Sequence, residues 1–276
     1  MALKSEVGRA STMGDRKHME DVTTSSLFPD GYKFFAVYDG HGGFKCAVHA
    51  SVRLPDRILR STKFPGDIPG AIVDGVRAVE SEWNVDSKSD NSGTCFAVAI
   101  LAPGRVLYVG HVGDCRVVLG ARDGKMLRLT EDHRPSEPEE RKRVESFPGV
   151  HVGKLYRDRH FLCFKWRAES GPLRTFPGGL AITRAVGDKA VKRHNRGITW
   201  APTTMSVVLR TDVDAYLVLA TDGVWDNVSE CAEMADAAML GTTPKECAEN
   251  ILAYSLRNKK RGAEQDNASV LFAWIV

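Results

Sequence analysis

Two Asp-Gly pairs fall where a carboxylate is costly. Asp39-Gly40 closes the apolar run Phe34-Phe35-Ala36-Val37-Tyr38 and opens into His41-Gly42-Gly43. Asp222-Gly223 closes Tyr216-Leu217-Val218-Leu219-Ala220-Thr221 and continues to Trp225-Asp226. An Asp-Gly pair usually marks a hairpin turn, and Asp30-Gly31 and Asp123-Gly124 read that way. Asp39 and Asp222 instead stand at the mouths of strands expected to be buried, where an unpaired carboxylate takes up a proton or needs a partner. Two such groups meeting at one end of a sheet repel unless a cation lies between them. Hard divalent ions of the Mg²⁺ or Mn²⁺ kind prefer such oxygen ligands. Glu20-Asp21 and Asp266-Asn267, just before the C-terminal strand, repeat the pattern. Taken singly, each is an ordinary N-cap or turn carboxylate; taken together, they point to a metal site.

The elements that must position these groups show in the hydrophobic pattern. Strands are predicted over 33–38, 94–101, 106–112, 116–119, 216–220 and 269–276. Phe96-Ala97-Val98-Ala99-Ile100-Leu101 is apolar on both parities, as in a strand covered on both faces. Helical spacing links Ile72, Val76, Val79 and Trp83, then Cys231, Met234, Ala235, Ala238 and Met239. A third helix opens at Pro244 behind Thr243 as N-cap, with Cys247, Ala248, Ile251, Leu252 and Ser255 on one face. A fourth follows Gly42-Gly43, carrying Ala47, Val48, Val52 and Leu54 up to Pro55. Strands in neighbouring pairs and helices in groups read as α+β with antiparallel sheets, not alternating βαβ. Residues 145–178 fit neither pattern and are expected to form an irregular lid or an insertion without a role.

The chain of 276 residues carries 38 basic and 35 acidic side chains, a net charge of +3 that argues against a dedicated nucleic-acid binder. It is long enough to bury a large core. Its 43% hydrophobic and 26% charged residues are those of an ordinary globular protein. The six cysteines, Cys46, Cys95, Cys115, Cys163, Cys231 and Cys247, form no Cys-x-x-Cys and read as reduced thiols. No apolar run approaches a membrane span, and Met1-Ala2-Leu3-Lys4 lacks a signal-peptide core. A cytoplasmic or nuclear location and a monomer are expected. Lys259-Lys260-Arg261 reads as a solvated helix end, with a nuclear-import signal as the alternative.

In order along the chain, these residues resemble the PPM, or type 2C, metal-dependent serine/threonine protein phosphatases. Arg16-Lys17-His18-Met19-Glu20-Asp21 is similar to the family's opening Arg-x-x-Met-Glu-Asp, and Val37-Tyr38-Asp39-Gly40-His41-Gly42-Gly43 to its Val-x-Asp-Gly-His-Gly-Gly. Ser92-Gly93-Thr94, Gly113-Asp114-Cys115-Arg116, Asp132-His133-Arg134-Pro135 and Thr183-Arg184-Ala185-Val186-Gly187-Asp188 follow. Ala220-Thr221-Asp222-Gly223-Val224-Trp225-Asp226 and Asp266-Asn267-Ala268-Ser269-Val270 complete the series. The resemblance implies one catalytic domain over 1–276, a four-layer α-β-β-α sandwich of two antiparallel sheets with helices outside both. It also implies that residues 145–178 hold a flap shaping substrate access.

It further implies two Mg²⁺ or Mn²⁺ ions per chain and phosphorylated protein substrates. Asp39 would bridge both ions, the Glu20 carboxylate and Gly40 carbonyl would bind one, and Asp222 and Asp266 the other. Asp21 would orient water from outside the ligand set; its plain alternative is an ion pair with a basic neighbour. Two such cations activate water for in-line attack on phosphorus. Arg16 is the candidate phosphate clamp, because a guanidinium grips two oxygens at once; a surface salt bridge is the alternative. His41 is the candidate general acid for the departing alkoxide, or else only a hydrogen-bonding neighbour of the metal site. Asp132 and Asp226 resemble the carboxylates of a third, weaker metal position, although Asp132 could instead cap the helix that Pro138-Glu139-Glu140 begins. Asp114, Arg116, Arg184 and Asp188 are left to strand-end turns and buried ion pairs, and His111 and His133 to structural roles. Glu264-Gln265 stands where relatives carry small or hydroxyl residues. A catalytically inactive scaffold and a hydrolase of small phosphoesters are the competing readings.

Overall fold

The computed structural model describes residues 7–87, 90–161, 164–210 and 212–275. Two antiparallel sheets face each other. The first has strand order β1 (Val7–Thr12), β13 (Ala268–Trp274), β12 (Asp214–Ala220), β6 (Arg116–Ala121), β7 (Met126–Arg128). The second runs β11 (Thr203–Val208), β5 (Val106–Val112), β4 (Gly93–Leu101), β3 (Lys33–His41), β2 (Val22–Leu27). A two-residue strand, β10 (Val186–Gly187), adds to the start of β4.

The run that is apolar on both parities is explained by what covers each face. Phe35, Val37, Ala97 and Ala99 point between the sheets, where they meet Val117, Leu119, Leu217, Leu219 and Leu271. Phe34, Ala36, Tyr38, Phe96, Val98 and Ile100 point outward under α1 (Lys45–Leu59) and α2 (Ile68–Asp86). Across the molecule Val118, Tyr216, Val218, Val270 and Phe272 lie under α6 (Ala232–Met239) and α7 (Pro244–Arg257). The layers are therefore helix, sheet, sheet, helix, as expected. α7 opens with a capping box: Thr243 accepts from the Glu246 amide while the Glu246 side chain returns to the Thr243 amide. Asp123-Gly124 turns between β6 and β7, and Asp30-Gly31 lies between β2 and β3.

Three expectations are corrected. α1 does not stop at Pro55 but runs to Leu59, because Leu54 and Ile58 are buried on either side of the proline. Its buried face is Cys46, Ala47, Ala50, Leu54 and Ile58, whereas Val48 and Val52 are exposed. The segment read as irregular is a hairpin of β8 (His151–Phe161) and β9 (Phe164–Phe176), a separate two-stranded sheet. Finally, β13 ends at Trp274, and Val276 and Cys163 lie outside the described residues. The shorter helices, α3 (Pro138–Glu145), α4 (Lys189–Lys192) and α5 (Asp222–Trp225), belong to the loops around the site.

Candidate active site

Antiparallel pairing brings alternate strand ends to one edge of the sandwich. β3 ends there at Asp39-Gly40-His41, paired with Cys95, Thr94 and Gly93 at the start of β4. Across the gap, β12 ends just before Asp222, while Asp114 precedes β6 and Asp266 precedes β13. The link from β1 to β2, carrying Arg16 to Asp21, crosses from one sheet to the other over this edge. Together they enclose an open cavity of about 630 Å³ whose lining includes Arg16, Glu20, Asp39, Gly40, His41, Asp114, Asp222 and Asp266.

On its floor Asp39, Asp114 and Asp222 each offer a carboxylate oxygen, and these oxygens lie within 4.8 Å of one another. Burial, then mutual repulsion, pushes the Asp39 and Asp222 carboxyls well above the ordinary carboxylate range. Three anionic oxygens this close suit a hard divalent cation. Asp21 is buried beside them and accepts from the Thr221 hydroxyl at 2.9 Å. Burial raises its pKa to about 6, and its Oδ1 has no hydrogen-bond partner. No basic side chain pairs with Asp21 among the described residues, so the ion-pair alternative fails. Gly40 is required by the close approach of the β1–β2 link: a Cβ there would lie 2.5 Å from the Glu20 carbonyl oxygen.

His41 Nε2 lies 2.7 Å from Asp188 Oδ2, a carboxylate 5% exposed. Burial alone would lower the His41 pKa, but the charge and hydrogen bond of Asp188, with the charges of Asp114 and Glu20, outweigh it and the net shift is upward. The sequence suggests only a turn or buried ion pair for Asp188, yet it is the residue that fixes the ring. Gly93 leaves the space for this pair, since a Cβ would fall 2.3 Å from Asp188 Oδ2 and 2.5 Å from His41 Nε2. Arg16 Nη2 pairs with Asp266 Oδ2 at 2.5 Å in an exposed position at the cavity mouth. Asn267 fastens the crossing link: its Oδ1 accepts from the Glu20 amide at 2.7 Å and its Nδ2 donates to the Met13 carbonyl at 2.9 Å. Gln265 is buried and donates to the Gly223 carbonyl at 3.0 Å, which ties the Asp222 turn to the Asp266 loop. The departure at Glu264-Gln265 thus supplies a brace and, in exposed Glu264, one further carboxylate at the mouth.

Asp132 is held by arginines. Arg116 grips Asp132 through two hydrogen bonds of 2.9 and 2.8 Å, and Arg128 adds one of 2.6 Å. It is buried in that ion cluster, stands outside the three-carboxylate group, and does not cap α3, whose N-cap is Glu137. The carboxylate beside Asp39 and Asp222 is Asp114. Arg134 joins the two groups, reaching Asp114 at 2.7 Å, Asp226 at 2.9 Å and Asp222 at 3.3 Å. Arg184 is absorbed by Glu140, and His111 and His133 stack with ring centres 4.3 Å apart.

Comparison with known proteins decides the family. The sequence pattern of protein phosphatase 2C matches residues 3–263. The chain belongs to the protein phosphatase 2C family. It is 32% identical over 253 residues to the probable protein phosphatase 2C 45 of Oryza sativa, covering 90% of this chain and 81% of that one. It is also 32% identical to the probable protein phosphatase 1N of Mus musculus, but spans only 53% of that protein. Among solved structures, a serine-threonine phosphatase 2C from Toxoplasma gondii superposes with a TM-score of 0.75 at 24% identity, covering 97% and 94% of the two chains. A sex-determining protein of C. elegans gives 0.81 at 23% identity, covering 97% of this chain and 64% of that one. At such identities these two speak for the fold. Within the protein phosphatase 2C frame the acidic cluster is a site that could bind metal, and no helix among the described residues is long and apolar enough to cross a membrane.

Proposed function

We propose that this chain hydrolyses phosphoserine and phosphothreonine in proteins with the help of two Mg²⁺ or Mn²⁺ ions. The observation that carries the reading is the convergence of Asp39, Asp114 and Asp222 on the floor of an open cavity that also holds His41. Asp39, Asp222, Asp266, Glu20 and the Gly40 carbonyl would hold the ions, with Asp114 available to the same centre. When bound, such ions neutralise phosphoryl charge and acidify water. A further ion at Asp226 would compete with the Arg134 guanidinium for that carboxylate.

The chain's own residues supply the rest. Arg16, exposed at the mouth, can exchange Asp266 for two phosphoryl oxygens. His41 is bound through Nε2 to Asp188, which leaves Nδ1 to donate a proton to the departing serine or threonine alkoxide. Nucleophilic attack falls to water. Cys95 lines the cavity, but burial and the surrounding carboxylates push its thiol pKa well up, far from a thiolate. Phosphate release should be compared for a phosphothreonine peptide and a small aryl phosphate, in Mn²⁺, with the unmodified protein and Asp222→Asn. Preference for the peptide, and a loss of about a hundredfold or more in Asp222→Asn, are expected. Equal turnover of the aryl phosphate would favour the small-phosphoester reading. No turnover of either would favour the scaffold reading.

A further inference from the structure

Arg174 in the cavity wall has no carboxylate partner among the described residues. Arg16 is paired with Asp266, and Lys17 and His18 lie exposed at the mouth. Arg174, two residues before the end of β9, is half-buried in the same wall beside Leu180, Ala181 and Ile182. Its Nη1 donates to the Gly179 carbonyl at 2.7 Å, while its Nε is buried without a hydrogen-bond partner. Among the described residues no carboxylate pairs with it. A charged donor left without a full set of acceptors is costly, and an anion at this wall would offset that cost.

The support behind Arg174 is firm. The Thr175 amide donates to the Leu180 carbonyl and the Gly179 amide to the Thr175 carbonyl, each at 2.8 Å. The turn they close is tied to the body of the protein by buried Asn195, whose Nδ2 donates to the Pro177 carbonyl at 2.8 Å. A guanidinium has five N–H donors, so with Nη1 held by Gly179 it keeps donors for a carboxylate or phosphate that enters the cavity.

We propose that Arg174 forms an anion subsite that reads a negatively charged side chain, acidic or itself phosphorylated, next to the phosphoresidue being hydrolysed. The proposal rests on the phosphatase reading above. The reacting phosphoryl group belongs with the carboxylate floor, His41 and Arg16, and it fills only part of a 630 Å³ cavity. Arg174 comes instead from the last residues of β9, with the apolar Leu180–Ile182 wall beside it to take the methylenes of a long acidic side chain. The residue therefore sets specificity.

The test uses three phosphothreonine peptides that differ at one flanking position, carrying alanine, glutamate or phosphoserine. Values of kcat/KM in Mn²⁺ are measured for the unmodified protein, Arg174→Gln and Arg174→Lys. The unmodified protein should favour the charged flanks over alanine by about tenfold. The ratio should fall to about one in Arg174→Gln, whatever its absolute rates, and be intermediate in Arg174→Lys. A higher ratio for phosphoserine than for glutamate assigns the subsite to a second phosphate; equal ratios assign it to acidic residues generally. A ratio near one in the unmodified protein, or a ratio unchanged in Arg174→Gln, would overturn the proposal. Hydrolysis of the alanine-flanked peptide tests the phosphatase reading alone. Were no peptide hydrolysed, that reading would fail, and calorimetric titration with the same peptides would read the ratio as affinities.

Discussion

His41 and Asp188 show what a single contact decides. The 2.7 Å contact places the imidazole and raises its pKa, so His41 holds its proton to higher pH than a free histidine. Replacing Asp188 with Asn removes the largest of the influences that raise the His41 pKa. The His41 titration, followed by NMR in the metal-free protein, is then expected to move to lower pH. The alkaline limb of the pH–rate profile should move with it, because a general acid must be protonated. An unmoved titration would show that Asp188 only packs. The pairing was hidden in the sequence because the two residues are 147 positions apart. An aspartate after Val186-Gly187 also reads as an ordinary turn. Asp114 was hidden for a similar reason: Gly113-Asp114-Cys115-Arg116 has the look of a strand gap, and nothing local brings it to Asp39 and Asp222. The carboxylates that could be read were those closing apolar runs, since a costly charge next to a buried strand stands out without any contact map.

Elements were legible to the extent that the core dictates their pattern. β3, β4, β5, β6 and β12 are buried strands and emerged from their apolar runs, as did α2, α6 and α7 from their spacing. β2, Val-Thr-Thr-Ser-Ser-Leu, is a half-buried edge strand with no apolar alternation, and the β8–β9 hairpin forms a two-stranded sheet apart from the two main ones. Loops that close over the strands carry their own pH sensitivity. His111, near the end of β5, and His133, after β7, stack face to face. Their outer contacts are the Glu131 carbonyl at 2.6 Å and the Thr203 hydroxyl at 2.9 Å. Burial holds the His111 pKa down at about 4, and burial together with His111 holds His133 lower still. A depressed histidine means that the unfolded chain binds the extra proton first. Stability is therefore complete above about pH 6.5 and declines as pH falls toward 4. For His111 alone the loss amounts to about 3 kcal/mol once pH is below its folded pKa. Thermal melts across that window should show the decline, and His111→Phe should make its slope shallower. An unchanged slope would assign acid lability to other groups.

At the scale of the whole molecule, the two sheets meet over their apolar layer but repel at one edge, where Asp39 of one faces Asp114 and Asp222 of the other. A cation held there links the sheets, so the melting temperature should rise with Mn²⁺ and fall back in EDTA. Binding at a hundredfold excess over Kd contributes about 2.7 kcal/mol, or roughly 5–10 °C for a chain of this size. Asp39→Asn should abolish the Mn²⁺ response and melt higher than the unmodified protein in EDTA, since it relieves the repulsion. A lower melting point for Asp39→Asn in EDTA would mean that Asp39 carries structure as well as metal. The layered architecture itself followed from strands apolar on both faces only once the family resemblance had named the sandwich; periodicity could not say which helices cover which sheet.

The most direct test of the account is phosphate release from a phosphothreonine peptide, measured first with Mn²⁺ and then with excess EDTA. The carboxylate floor predicts release that requires the metal, stops on chelation and returns when Mn²⁺ is restored. Release that continues undiminished in EDTA would contradict the metal-dependent phosphatase at its root.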